Sequence, residues 1–111
     1  MLPKEMRLRK KGEFRQVYDQ GKKYFGKYML LFVIINGSEI NRYGIVASKK
    51  VGNAVTRNRS RRQVREVIRN AHGKLKSGND MILVIKSSAV GASLIELQQD
   101  FASLCRKAQL C

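Results

Sequence analysis

The run Thr56-Arg-Asn-Arg-Ser-Arg-Arg-Gln-Val-Arg-Glu-Val-Ile-Arg-Asn-Ala71 constrains this chain more than any other stretch. At about 100° per residue of an α-helix, Val64, Val67, Ile68 and Ala71 share one stripe. Asn58, Arg61, Arg62, Arg65 and Arg69 share the stripe beside it, with Arg59 further round. The spacing predicts a helix over Thr56–Ala71 with one core-facing stripe and one guanidinium stripe. Like charges three and four residues apart oppose an isolated helix, so something else must offset them. Solvated helix faces ordinarily mix signs and pair Lys with Glu. This one carries a single acid, Glu66, and is built on Arg, whose planar fork binds phosphate bidentately and stacks on bases.

The rest of the chain leans the same way. Its 23 Lys and Arg against 8 Asp and Glu give a net charge of +15, concentrated in residues 1–27 and 42–72, whereas residues 28–41 carry only Glu39. Self-repulsion of that size destabilises a compact state, so it implies a polyanionic partner, either nucleic acid or an anionic membrane. The longest apolar stretch, Met29 to Ile35, is too short to span a bilayer. Lys4, Arg7, Arg9, Lys10 and Lys11 lead into no apolar signal core, so no secretory segment is expected. A peripheral membrane protein remains a rival, although the apolar stripe of the Arg-rich helix lacks Trp and Phe. With 111 residues, 43% of them apolar, a single domain over 1–111 is expected. Cys105 falls on a helical apolar stripe and Cys111 ends the sequence. Neither a structural disulfide nor a zinc site is expected of them, which fits reduced thiols and a cytoplasmic location.

Periodicity supplies the remaining elements. A first helix is predicted over Lys11–Gln20, with Phe14, Val17 and Tyr18 on one face and Gly21 as its stop. A short strand over Lys22–Phe25, turned at Gly26, precedes Tyr28–Ile35, which is apolar on both faces as a central strand would be. Asn36-Gly signals a turn, and Tyr43–Ser48 reads as the returning strand. Met81–Ile85 is a further buried strand. Ser93 and Glu96 form a capping box, opening a third helix with Leu94, Leu97, Phe101, Leu104 and Ala108 on its core face. The order is αβββαβα, an α+β two-layer sandwich with a small central sheet.

At the residue level one resemblance is specific. Lys49-Lys-Val-Gly-Asn-Ala-Val-Thr-Arg-Asn-Arg-Ser-Arg-Arg-Gln-Val-Arg-Glu66 resembles the signature of bacterial ribonuclease P proteins, centred on Arg57, Asn58 and Arg59. Arg7-Leu-Arg-Lys-Lys-Gly-Glu-Phe-Arg-Gln-Val-Tyr18 resembles the first helix of that family, Gly44-Ile-Val-Ala-Ser-Lys-Lys50 its strand into the basic loop, and Asp80-Met-Ile-Leu-Val-Ile85 its last strand. The resemblance implies a left-handed βαβ crossover, against the usual handedness of such units. It implies that Lys49, Lys50, Arg57, Asn58, Arg59, Arg61, Arg62, Arg65 and Arg69 hold a catalytic RNA subunit. It further implies that Phe14, Tyr18 and Phe32 line a cleft for the single-stranded 5′ leader of precursor tRNA, where stacking would tolerate varied sequences. The bland alternative is that these three rings simply pack the core.

No catalytic residue is expected in the protein itself. Side-chain cleavage of RNA needs an acid–base pair, yet His72 is the sole imidazole. Two-metal cleavage needs clustered carboxylates, and the eight acids are dispersed. By resemblance the chain is a subunit of an endoribonuclease whose RNA hydrolyses the phosphodiester with Mg²⁺ held mainly by RNA, none being bound by the protein alone. The free protein is expected to be a monomer. A ribosomal or RNA-chaperone protein with no role in cleavage is the main rival, and a stand-alone nuclease another.

Overall fold

A strand that is apolar on both faces needs cover on both sides, and the placement of Met29–Ile35 governs the rest of the architecture. The computed structural model describes residues 2–111. In chain order the elements are α1 (Lys11–Gln20), β1 (Lys22–Phe25), β2 (Met29–Ile35), β3 (Arg42–Ala47), α2 (Ala54–Ala71), β4 (Asn79–Ile85) and α3 (Leu94–Lys107), linked by short 3₁₀ turns. This is the α+β class and the αβββαβα order read from the sequence. The helix over Thr56–Ala71 begins two residues early because the Asn53 side chain accepts the Thr56 amide at 2.9 Å and caps it. Ser93 and Glu96 close their reciprocal box at 3.1 and 3.0 Å.

The four strands lie in the order β1-β2-β4-β3. β2 is antiparallel to both β1 and β4, whereas β3 runs parallel to β4. The expectation of a strand returning beside β2 is therefore corrected. The chain does turn at Asn36-Gly37, where Gly37 takes φ +72°, but β4 inserts between β2 and β3. Burial explains the exchange. Asn79 to Leu83 are buried without a break, and the central position gives β4 partners on both edges. β3 bears the half-buried Arg42 and takes the sheet's margin, where Arg7 adds a single bridge to Tyr43. β3, α2 and β4 thus form the βαβ unit.

Alternation along the strands divides the core. One face presents Met29, Leu31, Met81, Leu83 and Ile85 to Val64, Val67 and Ile68 of α2 and to Leu97, Phe101 and Leu104 of α3. Cys105 belongs to this core at 1% exposure, and burial pushes its thiol up to about 12. The other face carries the ten-residue α1, where Leu8, Val17 and Ile82 are buried with Phe14, Phe32, Ile34, Val46 and Val84 around them. Each large apolar side chain fully buried this way contributes roughly 1.5–3 kcal/mol. α1 does not cover the whole of this face. Leu30, Phe32, Val46 and Val84 stay half-exposed beside it.

Candidate nucleic-acid interface

Two surfaces gather the residues singled out in the sequence. On α2, Val64, Val67 and Ile68 are fully buried, which turns the adjoining guanidinium stripe outward. Lys49 and Lys50 are exposed on the 3₁₀ turn Lys49–Val51, anchored by the buried Val51 just before the helix. The stripe is not uniform. Arg57 donates to the Gly52 carbonyl at 2.9 Å, and Arg61 donates to the Asn58 side chain. Arg69 is paired with Glu66 at 2.6 Å. Among the described residues, Lys49, Lys50, Arg59, Arg62 and Arg65 have no hydrogen-bond or ion-pair partner for their side chains. The first turn of α2 contains no acid, so the positive end of the helix dipole adds to these cations. The surface can grip a chain of phosphates, and among the described residues no acid is hydrogen-bonded or ion-paired to these free cations.

The second surface lies where α1 meets the sheet. Tyr18 and Phe32 make an edge-to-face pair with ring centroids 4.8 Å apart. Tyr18 is 38% exposed, and partial burial raises its phenol above the ordinary value. Phe14 behaves differently. Its ring lies on Gly44 of β3, where an added Cβ would come within 2.6 Å of the ring edge, so Gly44 is the space that admits Phe14. Phe14 thus packs on Gly44 by its ring edge, it and Phe32 are both half-buried, and Tyr18 is the most exposed of the three rings. Arg9, Lys11, Phe14, Arg15, Tyr18 and Asp19 line a concavity of about 430 Å³ along this side of α1. Lys23 of β1 places its Nζ 5.3 Å from the Phe32 centroid. The three predicted rings are thus brought to one helix–sheet junction with cations on its rim.

What holds α1 over the sheet was invisible in the sequence. Arg42 on β3 donates to Asp80 of β4 through Nε (2.9 Å) and Nη2 (2.7 Å), and through Nη1 to Glu13 of α1 (2.6 Å). Glu13 also accepts the backbone amides of Lys10 (3.0 Å) and Arg9 (3.1 Å), capping α1. Those amides, with Arg42 after them, hold its carboxyl down at about 2. The acids that anchor this junction are spoken for. Asp100, buried, accepts the amides of Lys27, Tyr28 and Met29, and Glu96 accepts both the Ser93 amide and the Tyr28 hydroxyl. Among the described residues no three His, Cys, Asp or Glu side chains are grouped to hold a metal ion. His72 Nδ1 shares a hydrogen bond of 2.9 Å with the Tyr43 hydroxyl, away from both surfaces.

Residues 2–109 match the model of the family described as Ribonuclease P. The ribonuclease P protein component of Syntrophomonas wolfei is 34% identical over 110 residues, covering 99% of this chain and 92% of the relative. That of Natranaerobius thermophilus is 41% identical over 103 residues, covering 93% and 90%. Among solved structures, the ribonuclease P protein of Thermotoga maritima superposes with a TM-score of 0.83 at 26% identity, covering 91% of this chain and 96% of that one. A Staphylococcus aureus ribonuclease P protein, a mutant with defective mRNA degradation activity, gives 0.89 at 25% identity, covering 97% and 92%.

Proposed function

The chain belongs to the ribonuclease P protein family and is a protein subunit of that endoribonuclease ribonucleoprotein, and from this premise we propose how its two surfaces divide the work. The α2 stripe, with Lys49, Lys50, Arg57, Asn58, Arg59, Arg61, Arg62, Arg65 and Arg69, holds the catalytic RNA subunit. The junction of Tyr18, Phe32 and Phe14 receives the single-stranded 5′ leader of precursor tRNA. The RNA subunit performs the phosphodiester hydrolysis, and Mg²⁺, held by RNA, supplies charge stabilisation for it. The protein neutralises phosphates, orders the RNA and adds leader contacts that mature tRNA cannot make. We place this work in the cytoplasm and take the free protein as a monomer.

The observation that carries this reading is the row of unpartnered cations, Arg59, Arg62 and Arg65, on a helix whose other stripe is fully buried. Burial fixes the helix, so the cations are presented in a set register, and five donors per guanidinium are left for phosphate. Reconstitution with a bacterial ribonuclease P RNA tests it. Protein plus RNA should cleave precursor tRNA at lower Mg²⁺ than RNA alone, and protein alone should leave it intact. Cleavage by rigorously RNA-free protein would overturn the division of labour. Equal affinity of the holoenzyme for precursor and mature tRNA would instead favour a purely structural RNA binder.

A further inference from the structure

The turn joining β1 to β2 presents an aromatic ring that the core does not use. Phe25, the last residue of β1, is 64% exposed. Yet its turn is fully tied. Gly26 N–H donates to the Met29 carbonyl (2.9 Å), and the amides of Lys27, Tyr28 and Met29 donate to the buried Asp100 carboxylate at 2.7, 2.8 and 3.2 Å. The ammonium groups of Lys107 and Lys86 each donate at 3.1 Å, to the carbonyls of Phe25 and Gly26, and the Ser88 hydroxyl donates to that of Lys27 at 2.8 Å. A Cβ on Gly26 would lie 2.6 Å from the Met29 carbonyl oxygen, so the turn also requires glycine. The exposed ring is held on an ordered support.

Register puts that ring on the α1 side of the sheet. Lys23 pairs with Phe32 and Phe25 with Leu30, so all four side chains share one face. Lys23 Nζ stands 4.9 Å from the Phe25 centroid and 5.3 Å from the Phe32 centroid, one ammonium between two rings. Phe32 in turn meets Tyr18 at 4.8 Å. Tyr18, Phe32, Lys23 and Phe25 therefore run as a continuous strip from α1 across β2 to β1. Lys23, Lys27, Lys86 and Lys107 stand on or against the turn, and Asp100 is buried beneath it. The charge complements a polyanion, and an exposed ring beside an ammonium suits a base stacked next to its phosphate.

We propose that Phe25 and Lys23 form a further nucleotide subsite, in which Phe25 stacks on one base of single-stranded RNA and Lys23 meets the adjoining phosphate. The subsite rests on the reading of the Tyr18–Phe32 junction as a leader site and extends it to the edge of the sheet. The test is the affinity of the reconstituted holoenzyme for precursor tRNAs whose leaders lengthen one nucleotide at a time. Phe25→Ala should remove one affinity step of roughly 5- to 150-fold, the worth of a stacked base. That step should fall at a different leader length from the step removed by Tyr18→Ala, with mature tRNA bound as by the wild type. Phe25→Tyr should restore the step and Phe25→Leu should not. Because the ring is exposed, the variants should melt like the wild type.

If Tyr18→Ala loses its step while Phe25→Ala follows the wild type at every length, the subsite is wrong and the junction stands. If neither variant depends on leader length, the leader reading itself fails and the subsite with it. Sedimentation of the free protein covers the remaining occupant. A dimer that Phe25→Ala dissolves would assign the ring to a second copy and overturn the proposal.

Discussion

The α2 stripe and the α1–sheet junction are built on opposite principles. The stripe sits on one element, its cations are held by a buried apolar stripe beneath them, and Arg59, Arg62 and Arg65 have no hydrogen-bond or ion-pair partner among the described residues. The junction takes Phe14 and Tyr18 from α1, Phe32 from β2 and Gly44 from β3, and its rings are partly engaged with each other. A surface of free charges can be stripped without touching the fold. A surface of half-packed rings cannot be altered without asking how much of the loss is packing. The first should therefore show its role in salt dependence, and the second in discrimination between RNAs.

The sharpest break in that comparison comes from Arg59→Ala, Arg62→Ala and Arg65→Ala together. Each lost phosphate contact lowers the log–log salt slope by roughly 0.7 to 0.9, so the slope for binding the RNA subunit should fall by about 2 to 3. The thermal midpoint should hold, as checked by circular dichroism alongside a salt titration. Arg61→Ala and Arg69→Ala, whose guanidinium groups are already engaged by Asn58 and Glu66, should flatten the slope less. Equal slopes in all these variants would move the RNA surface elsewhere.

The junction makes a different forecast. Tyr18→Ala should cost precursor tRNA roughly 5- to 150-fold in affinity, from about 1–3 kcal/mol of stacking, and spare mature tRNA. Equal losses for both RNAs, with a lowered midpoint, would demote Tyr18 to packing. Gly44→Ala sharpens the point from below the ring. A methyl 2.6 Å from Phe14 forces that ring to move, so stability should fall by about 1–3 kcal/mol. The salt slope for the RNA subunit should not change, because α2 lies on the other face.

The smallest effect concerns the clamp that seats α1. Glu13 is held at about 2 in the folded chain against an ordinary 4.5, so its contribution is complete above about 4.5 and lost as pH falls toward 2. Glu13→Gln should lower the midpoint at neutral pH by the equivalent of no more than about 1 kcal/mol. The acid-side decline of the midpoint should become shallower in the variant. A wild-type decline over that range would mean Glu13 makes no such contribution.

Features that depend on near neighbours along the chain were legible from residue spacing alone. Positions three and four apart settled α1 to the residue and α2 to within one turn at its start. Apolar character on both faces marked β2 as internal, and Ser93 with Glu96 marked the start of α3. The same locality made the Arg stripe readable, because one helix carries all of it. Features that depend on partners far along the chain emerge only once it is folded. That β4 rather than β3 lies beside β2 follows from burial over the whole sheet, and the local turn at Asn36-Gly37 is compatible with either arrangement. Arg42 reaches Glu13 across 29 positions and Asp80 across 38, and Asp100 ties the Phe25 turn from more than 70 away. Period and propensity carry no information at such separations. Gly44 reads as a weak point in a strand until Phe14 is seen lying on it, and Phe25 reads as an ordinary strand residue until its register sets it in line with Phe32 and Tyr18.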